Sequence, residues 1–235
     1  MRQMKEMLTN KILNGLPDAE FMRLMPQLEP VSLSAGERLA EAGELAHFIY
    51  FPENSIISSH ADMRDGKSAE VGMTGNEGVA GLSSLLNSCP SAHSLNVTVA
   101  GSALRIKKAE FEQELQRNAG LRQSLFAYAG EYLTQVSQRS ACAVLHRIEQ
   151  RFAVWLLLLT DRLDTDTVQI TQERMAQHLG VRRAGITVVA GELQMLSAIS
   201  YTRGSLRFVN RQALETIACE CYGALAVSRQ QTTYT

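Results

Sequence analysis

At residue 107 the chain changes its period. Between residues 31 and 106 short β-type runs (HFIYF, SIISS, AEVGM, LNVTVAG, ALRI) are separated by turn formers at Ala35-Gly36-Glu37, Asp65-Gly66 and Gly75-Asn76-Glu77-Gly78. Runs this short, broken by residues that favour tight turns, pair as antiparallel strands and suit a roll or barrel. After Lys107 the glycines thin out, and Leu121, Leu125, Tyr128, Tyr132 and Val136 recur at steps of four, three, four and four with no proline between them. One long amphipathic helix satisfies that spacing. The pattern predicts an α+β chain: an N-terminal antiparallel β-roll over residues 1–115, a long helix over 116–145 and a further domain over 146–235. The helical stripe suits either its own domain or a twin in a dimer, and the spacing does not separate the two.

A short helical lead-in is expected over residues 10–28, where Ile12, Leu13, Leu16, Phe21, Leu24 and Leu28 are interrupted by Gly15 and Pro17. Ile148, Phe152, Trp155, Leu159 and Leu163 form another helical face, which opens the last domain. The most informative stretch follows, ITQERMAQHLGVRRAGITVVAGEL over residues 170–193. Thr171 is a good N-cap, Met175 and Leu179 share a face, and Gly180 suits a left-handed stop. Ile186, Val189 and Leu193 then repeat at three and four, so a second helix buries that side and shows Arg183, Thr187 and Ala190 on the other. Two short helices joined by a glycine turn make a helix-turn-helix. Residues 197–209 read as a hairpin around Arg203-Gly204-Ser205, which completes a winged arrangement.

The chain has 235 residues with 23 basic and 24 acidic side chains, a net charge of −1, so a nucleic-acid contact requires a local concentration of positive charge. Residues 171–207 supply one: Arg174, Arg182, Arg183, Arg203 and Arg207 stand against Glu173 and Glu192. In a helix-turn-helix the second helix lies in the major groove with its amino-terminal residues at base edges. The planar fork of arginine matches the O6 and N7 of guanine, a contact worth about 1–3 kcal/mol of discrimination. Arg183 is the candidate base reader, Arg182 and the helix-start amides are candidates for a phosphate, Thr187 offers a methyl or hydroxyl contact, and Arg203 at the wing tip faces the neighbouring backbone. With Thr171 as the cap, these are the expected DNA-binding residues.

The amino terminus, MRQMKEMLTNKILNGL, is charged throughout and lacks the apolar block of a secretory signal, and the apolar run at 155–159 is far shorter than the roughly 20 residues of a spanning helix. A cytoplasmic protein without membrane contact is expected. Cys89, Cys142, Cys219 and Cys221 are few and unevenly spread, which suits reduced thiols, and Cys219-x-Cys221 lacks the usual metal spacing, so no metal site or cofactor is expected. Redox control through Cys142, or Cys219 and Cys221, is a further reading. Gly66-Lys67-Ser68 mimics the end of a phosphate-binding loop, but Ala61 stands where the earlier glycine is needed. No nucleophile elbow, His-Glu-x-x-His or carboxylate pair appears, so an enzyme is not expected.

The order of parts resembles the Crp/Fnr superfamily of bacterial transcription regulators. The resemblance rests on VSLSAGERLAEAGELAHFIYFPENSII, GMTGNEGVAGLSSLL and ITQERMAQHLGVRRAGITVVAGELQ, and covers nearly the whole chain. It implies a cyclic-nucleotide-binding-like sensor roll, a homodimer joined by the long helix, a near-palindromic duplex DNA site and RNA polymerase as a protein partner. Cyclic-nucleotide-binding members carry a Gly-Glu pair early in the phosphate cassette and an Arg followed by a small residue near its end. Here Gly78-Val79 and Ser91-Ala92 stand at those positions and neither charged group is present. A buried phosphate without a cation is costly, so cyclic AMP is not the expected effector; Glu77, Gly78, Ser91 and His93 remain the effector-facing candidates, and the effector is unknown. Iron–sulfur members gather thiolates near the amino terminus, where this chain has none, and nothing singles out His47, His60, His93, His146 or His178 as a haem ligand. Well-known members place an acid after the matching arginine and another arginine four further on, where this chain has Ala184 and Val188, so their target sequence does not transfer. The alternative to a regulator is a ligand- or protein-binding β-roll module without DNA binding.

Overall fold

The computed structural model describes residues 5, 7–87 and 89–231. The lead-in splits into α1 (Lys11–Gly15) and α2 (Asp18–Leu24). Asn10 caps α1 and its buried amide donates to the carbonyls of Pro52 (3.0 Å) and Gly78 (2.9 Å), which ties the lead-in to the roll. Seven strands follow, β1 (Glu29–Leu33), β2 (Arg38–Ala40), β3 (Phe48–Pro52), β4 (Ile56–Asp62), β5 (Ser68–Thr74), β6 (Ser94–Val99) and β7 (Gly101–Lys107), with α3 (Leu82–Asn87) between β5 and β6. They form two antiparallel sheets, β1-β7-β3 and β2-β6-β4-β5.

Strand β3 shows how alternation builds this half. Tyr50 turns to an inner cluster with Leu33, Ile57, Leu95 and Val97, while Ile49 and Phe51 turn the other way against Leu13, Phe111, Leu121 and Leu125. Successive strand side chains point to opposite faces, so this five-residue run joins two cores. Each large apolar side chain buried in them stabilises the fold by roughly 1.5–3 kcal/mol.

Helix α4 (Lys108–Arg117) leads into α5 (Ala119–Leu145), whose N-cap Asn118 accepts from the amide of Leu121 at 2.9 Å. The orientation of α5 corrects the expected dimer seam. Leu121, Leu125 and Tyr128 are buried in the roll's own cluster, Tyr132 packs beside them and donates to Ser59 Oγ (2.9 Å), and Val136 is half-buried. A face occupied by its own domain is closed to a partner. Gln135 strengthens the attachment by bonding both backbone groups of Met73, at 2.7 and 3.1 Å. At Gly78 a Cβ would stand 2.0 Å from the Tyr128 ring, so that loop passes α5 at glycine distance. The opposite face of α5 carries Phe126 (61% exposed), Leu133 (66%) and Val144 (84%).

The last domain is built on α6 (Ile148–Thr160), buried along its centre from Phe152 to Leu159. Around it lie β8 (Thr167–Gln169), α7 (Gln172–Leu179), α8 (Arg183–Met195), the hairpin β9 (Ile199–Thr202) and β10 (Ser205–Phe208), α9 (Arg211–Ile217) and α10 (Cys221–Gln231). Strand β10 is central in the antiparallel sheet β8-β10-β9. Among the described residues no helix is long and apolar enough to cross a membrane.

Candidate nucleic-acid interface

Helix α7 starts at Thr171, whose hydroxyl accepts from the amide of Arg174 at 3.3 Å, and stops at Gly180, which adopts φ +64° and ψ 38°. That left-handed residue turns the chain within three positions, which sets α8 against α7. Ile186, Val189 and Leu193 are buried as the spacing predicts. Ala190, expected outside, is also buried, because the apolar stripe of α8 is wide enough to include it. The outward face is Arg183, Ala184, Thr187 and Val188, with Val188 61% exposed. Thr187 Oγ1 lies 2.8 Å from Gln172 Oε1 and bridges the two helices at their surface.

Arg182 is the N-cap of α8 and makes no side-chain cap bond, and Arg183 is the first helical residue. Their guanidinium groups therefore stand at the end of the helix where amides are unsatisfied and the dipole is positive, a site that attracts anions. Arg203 and Gly204 form the two-residue turn of the β9–β10 hairpin with φ +50° and +85°. Positive φ at both positions matches the tight hairpin turn that fits strand twist, but glycine or asparagine usually stands where Arg203 is. Thr171, Gln172, Glu173, Arg183, Tyr201, Arg203 and Gly204 line one open groove of about 540 Å³. Among the described residues, Arg182, Arg183 and Arg203 are exposed and their guanidinium groups have no hydrogen-bond or ion-pair partner, whereas Arg207 pairs with Asp166 (3.1 Å) and Arg174 donates to the carbonyl of Ala35 (3.1 Å).

A family model described as a cyclic nucleotide-binding domain matches residues 30–118, and one described as a Crp-like helix-turn-helix domain matches residues 150–217. The chain belongs to the Crp/Fnr superfamily of transcription regulators. Solved structures share the fold. FixK2 from Bradyrhizobium japonicum is 17% identical, with 82% of this chain and 98% of that chain covered and a TM-score of 0.68. The c-di-GMP-responsive regulator CLP of Xanthomonas campestris is 13% identical, with 83% and 100% covered and a TM-score of 0.67. A CRP-family regulator from Thermus thermophilus is 18% identical, with 80% and 96% covered and a TM-score of 0.61. No curated protein matches the chain in sequence.

Within this Crp/Fnr frame the effector-facing candidates scatter. Glu77 is buried and its Oε1 accepts from Arg162 Nε at 2.8 Å and from the amide of Gly75 at 3.2 Å, so it faces the DNA-binding domain rather than an effector. Burial alone would raise its pKa, but Arg162 and the hydrogen bonds around it bring the carboxyl below its ordinary range. Gly78 lies under Tyr128. The Ser91 hydroxyl accepts from the amide of His93 (3.1 Å) and from Ser83 Oγ (3.2 Å), a local turn. His93 lines a cavity of about 50 Å³ with Ser59, Thr74, Leu95 and Tyr132. These four residues do not converge on one site.

Spacing did not reveal the polar junction between roll and helix-turn-helix. Glu70 on β5 meets Arg139 of α5 through Oε1, while its Oε2 lies 2.9 Å from His178 Nδ1 of α7 and accepts from Ser58 Oγ at 2.6 Å. His178 stacks on Trp155 with ring centroids 5.2 Å apart, and His60 lies 5.1 Å beyond. Burial and the neighbouring His178 hold His60 down to about 4, against the pull of Glu70. Among the described residues two donor groups are close enough to hold a metal ion: His60, Glu70 and His178, where Arg139 already pairs with the carboxylate, and Cys142, His146, Cys219 and Cys221. The second group brings together three cysteines and a histidine for which spacing along the chain gave no metal expectation. The i, i+4 relation of Cys142 and His146 was the visible half of that signal; the fold supplies the rest.

Proposed function

We propose that this regulator acts in the cytoplasm as a homodimer that reads a near-palindromic duplex site, with RNA polymerase as a partner and without dependence on cyclic AMP. The observation that carries the reading is the convergence of three unpartnered arginines, Arg182, Arg183 and Arg203, at the mouth of α8 and the wing tip. Arg183 is assigned to a guanine edge; Arg182, the helix-start amides and Arg203 are assigned to phosphates; Ala184, Thr187 and Val188 offer apolar contact to a thymine methyl. For the dimer seam the outer face of α5 replaces the inner one. Phe126, Gly130, Leu133, Ser137, Ser140 and Val144 are exposed at alternating steps of four and three, the repeat of a coiled-coil seam with small residues that permit close approach. Cyclic-AMP independence is supported by a roll cavity of about 50 Å³, against the roughly 300 Å³ at which ligand pockets begin, and by Gly78-Val79 and Ser91-Ala92 at the cassette positions.

Gel-shift selection from a promoter library at two salt concentrations tests the reading. Affinity is expected to fall steeply with salt as phosphate contacts release counterions. Arg183→Ala relaxes sequence preference, whereas Arg203→Ala weakens all sites alike and lowers the salt slope by about 1. Both variants binding every sequence like the parent overturns the assignment, and a parent without salt-dependent binding favours the β-roll module that binds no DNA.

A further inference from the structure

We propose that Cys142, His146, Cys219 and Cys221 form a closed site for one thiophilic divalent cation of the zinc class, which ties the end of α5 to the start of α10. Cys142 lies in the last turn of α5 and His146 ends that helix four residues later, so both project from one side. Cys219 and Cys221 arrive from the other end of the domain, just before and at the start of α10. The four donor atoms all lie within 4.8 Å of one another, with Cys142 Sγ 3.5 Å from Cys219 Sγ and Cys221 Sγ 3.6 Å from His146 Nδ1. Tetrahedral zinc with bonds of about 2.3 Å to sulfur and about 2.0–2.1 Å to nitrogen needs edges of about 3.8 Å between sulfurs and about 3.6 Å from sulfur to nitrogen. The set is thus within an ångström or so of Cys3His coordination, a structural zinc combination.

The surroundings fit a metal better than a plain apolar core. The other imidazole nitrogen, His146 Nε2, lies 3.3 Å from Glu220 Oε2, the carboxylate–histidine relation that orients a ligating ring and leaves Nδ1 for the ion. Gln138 Nε2 donates to Cys221 Sγ at 3.1 Å, as a thiolate ligand would accept. Three thiolates and a dication leave one negative charge, and Arg139 and Arg151 line the same cavity as Cys142. A Cys142–Cys219 disulfide would use two of the sulfurs and leave no role for Cys221, His146 and its carboxylate. All three cysteines are buried, so water does not compete for the fourth position.

The test uses the full reduced chain, stripped of metal and titrated with Co2+ and then Zn2+. One equivalent per chain is expected, with thiolate-to-cobalt charge-transfer absorption that Zn2+ abolishes. Cys219→Ser and Cys221→Ser reduce that absorption and weaken metal retention, Glu220→Ala weakens it by about 10–100-fold, and Cys89→Ser, outside the cluster, leaves both unchanged. Thiol labelling of the parent keeps the test independent of variant folding: Zn2+ protects Cys142, Cys219 and Cys221 and not Cys89. Saturation without charge transfer, equal loss from Cys89→Ser, or labelling indifferent to Zn2+ each overturns the proposal.

Discussion

Arginines on the two sides of the helix-turn-helix behave in opposite ways. Toward the β-roll, Arg162 and Arg174 of the last domain, with Arg139 of the connecting helix α5, each end on a group of the roll: Glu77, the carbonyl of Ala35 and Glu70. Toward solvent, Arg182, Arg183 and Arg203 end on nothing among the described residues. The same guanidinium fixes one interface by being buried with a partner and offers another by being left without one. A buried pair costs desolvation that its attraction scarcely offsets, so its main effect is to make one arrangement much better than its half-broken alternatives. An exposed cation costs the fold little and contributes when a phosphate or base arrives.

The contrast is broken most severely on the inner side. Arg162→Ala leaves Glu77 charged and buried, and is expected to lower unfolding free energy in urea by about 3–5 kcal/mol. A double variant, Arg162→Met with Glu77→Leu, recovers most of that loss; if the double is as unstable as the single, the pair matters for more than its charge.

Next in size is pH. His60 titrates near 6.5 when unfolded and at about 4 in the fold, where Glu70, His178, Asp62 and Asn96 surround it. Because its folded pKa is depressed, its contribution is present above pH 6.5 and lost as pH falls through about 4, amounting to about 3 kcal/mol. The carboxylates Glu70 and Glu77, also held below their ordinary range, lose their part only at lower pH. Stability of the parent is therefore expected to decline already between pH 6.5 and 4.5, and His60→Gln should flatten that limb. A parent curve flat across that span contradicts the burial argument.

On the outer side effects move from stability to binding. Arg183→Ala is expected to cost about 1–3 kcal/mol of base discrimination and to leave the unfolding free energy in urea unchanged within about 0.5 kcal/mol. The smallest effect is at the wing. Arg203→Asn puts a residue suited to positive φ into the turn and should stabilise the hairpin by about 1 kcal/mol or less while weakening DNA binding. A variant that loses stability there would mean that the Arg203 side chain supports the fold.

Much of the helix-turn-helix was readable because its rules are local. Thr171 caps over three residues, Gly180 needs only its own backbone freedom, and the stripe of Ile186, Val189 and Leu193 follows from helix period. The β-roll was readable in kind for the same reason, since glycines and turn formers separate its strands. The four effector-facing candidates do not come together: Gly78 and Ser91 were placed by a motif whose charges this chain lacks, and Glu77 has a partner 85 residues away.

From its own order of residues the chain determines the switch from strand to helix, the two short helices and their glycine turn, and the arginines at their mouth. Period and capping act over a few positions, and no distant contact is needed to enforce them. Tertiary packing alone decides which face of α5 covers the roll and leaves Phe126, Leu133 and Val144 outside, that Glu77 meets Arg162, and that Cys142 and His146 lie beside Cys219 and Cys221. Those choices depend on which distant surfaces exclude water together, and spacing along one element carries no record of the partner.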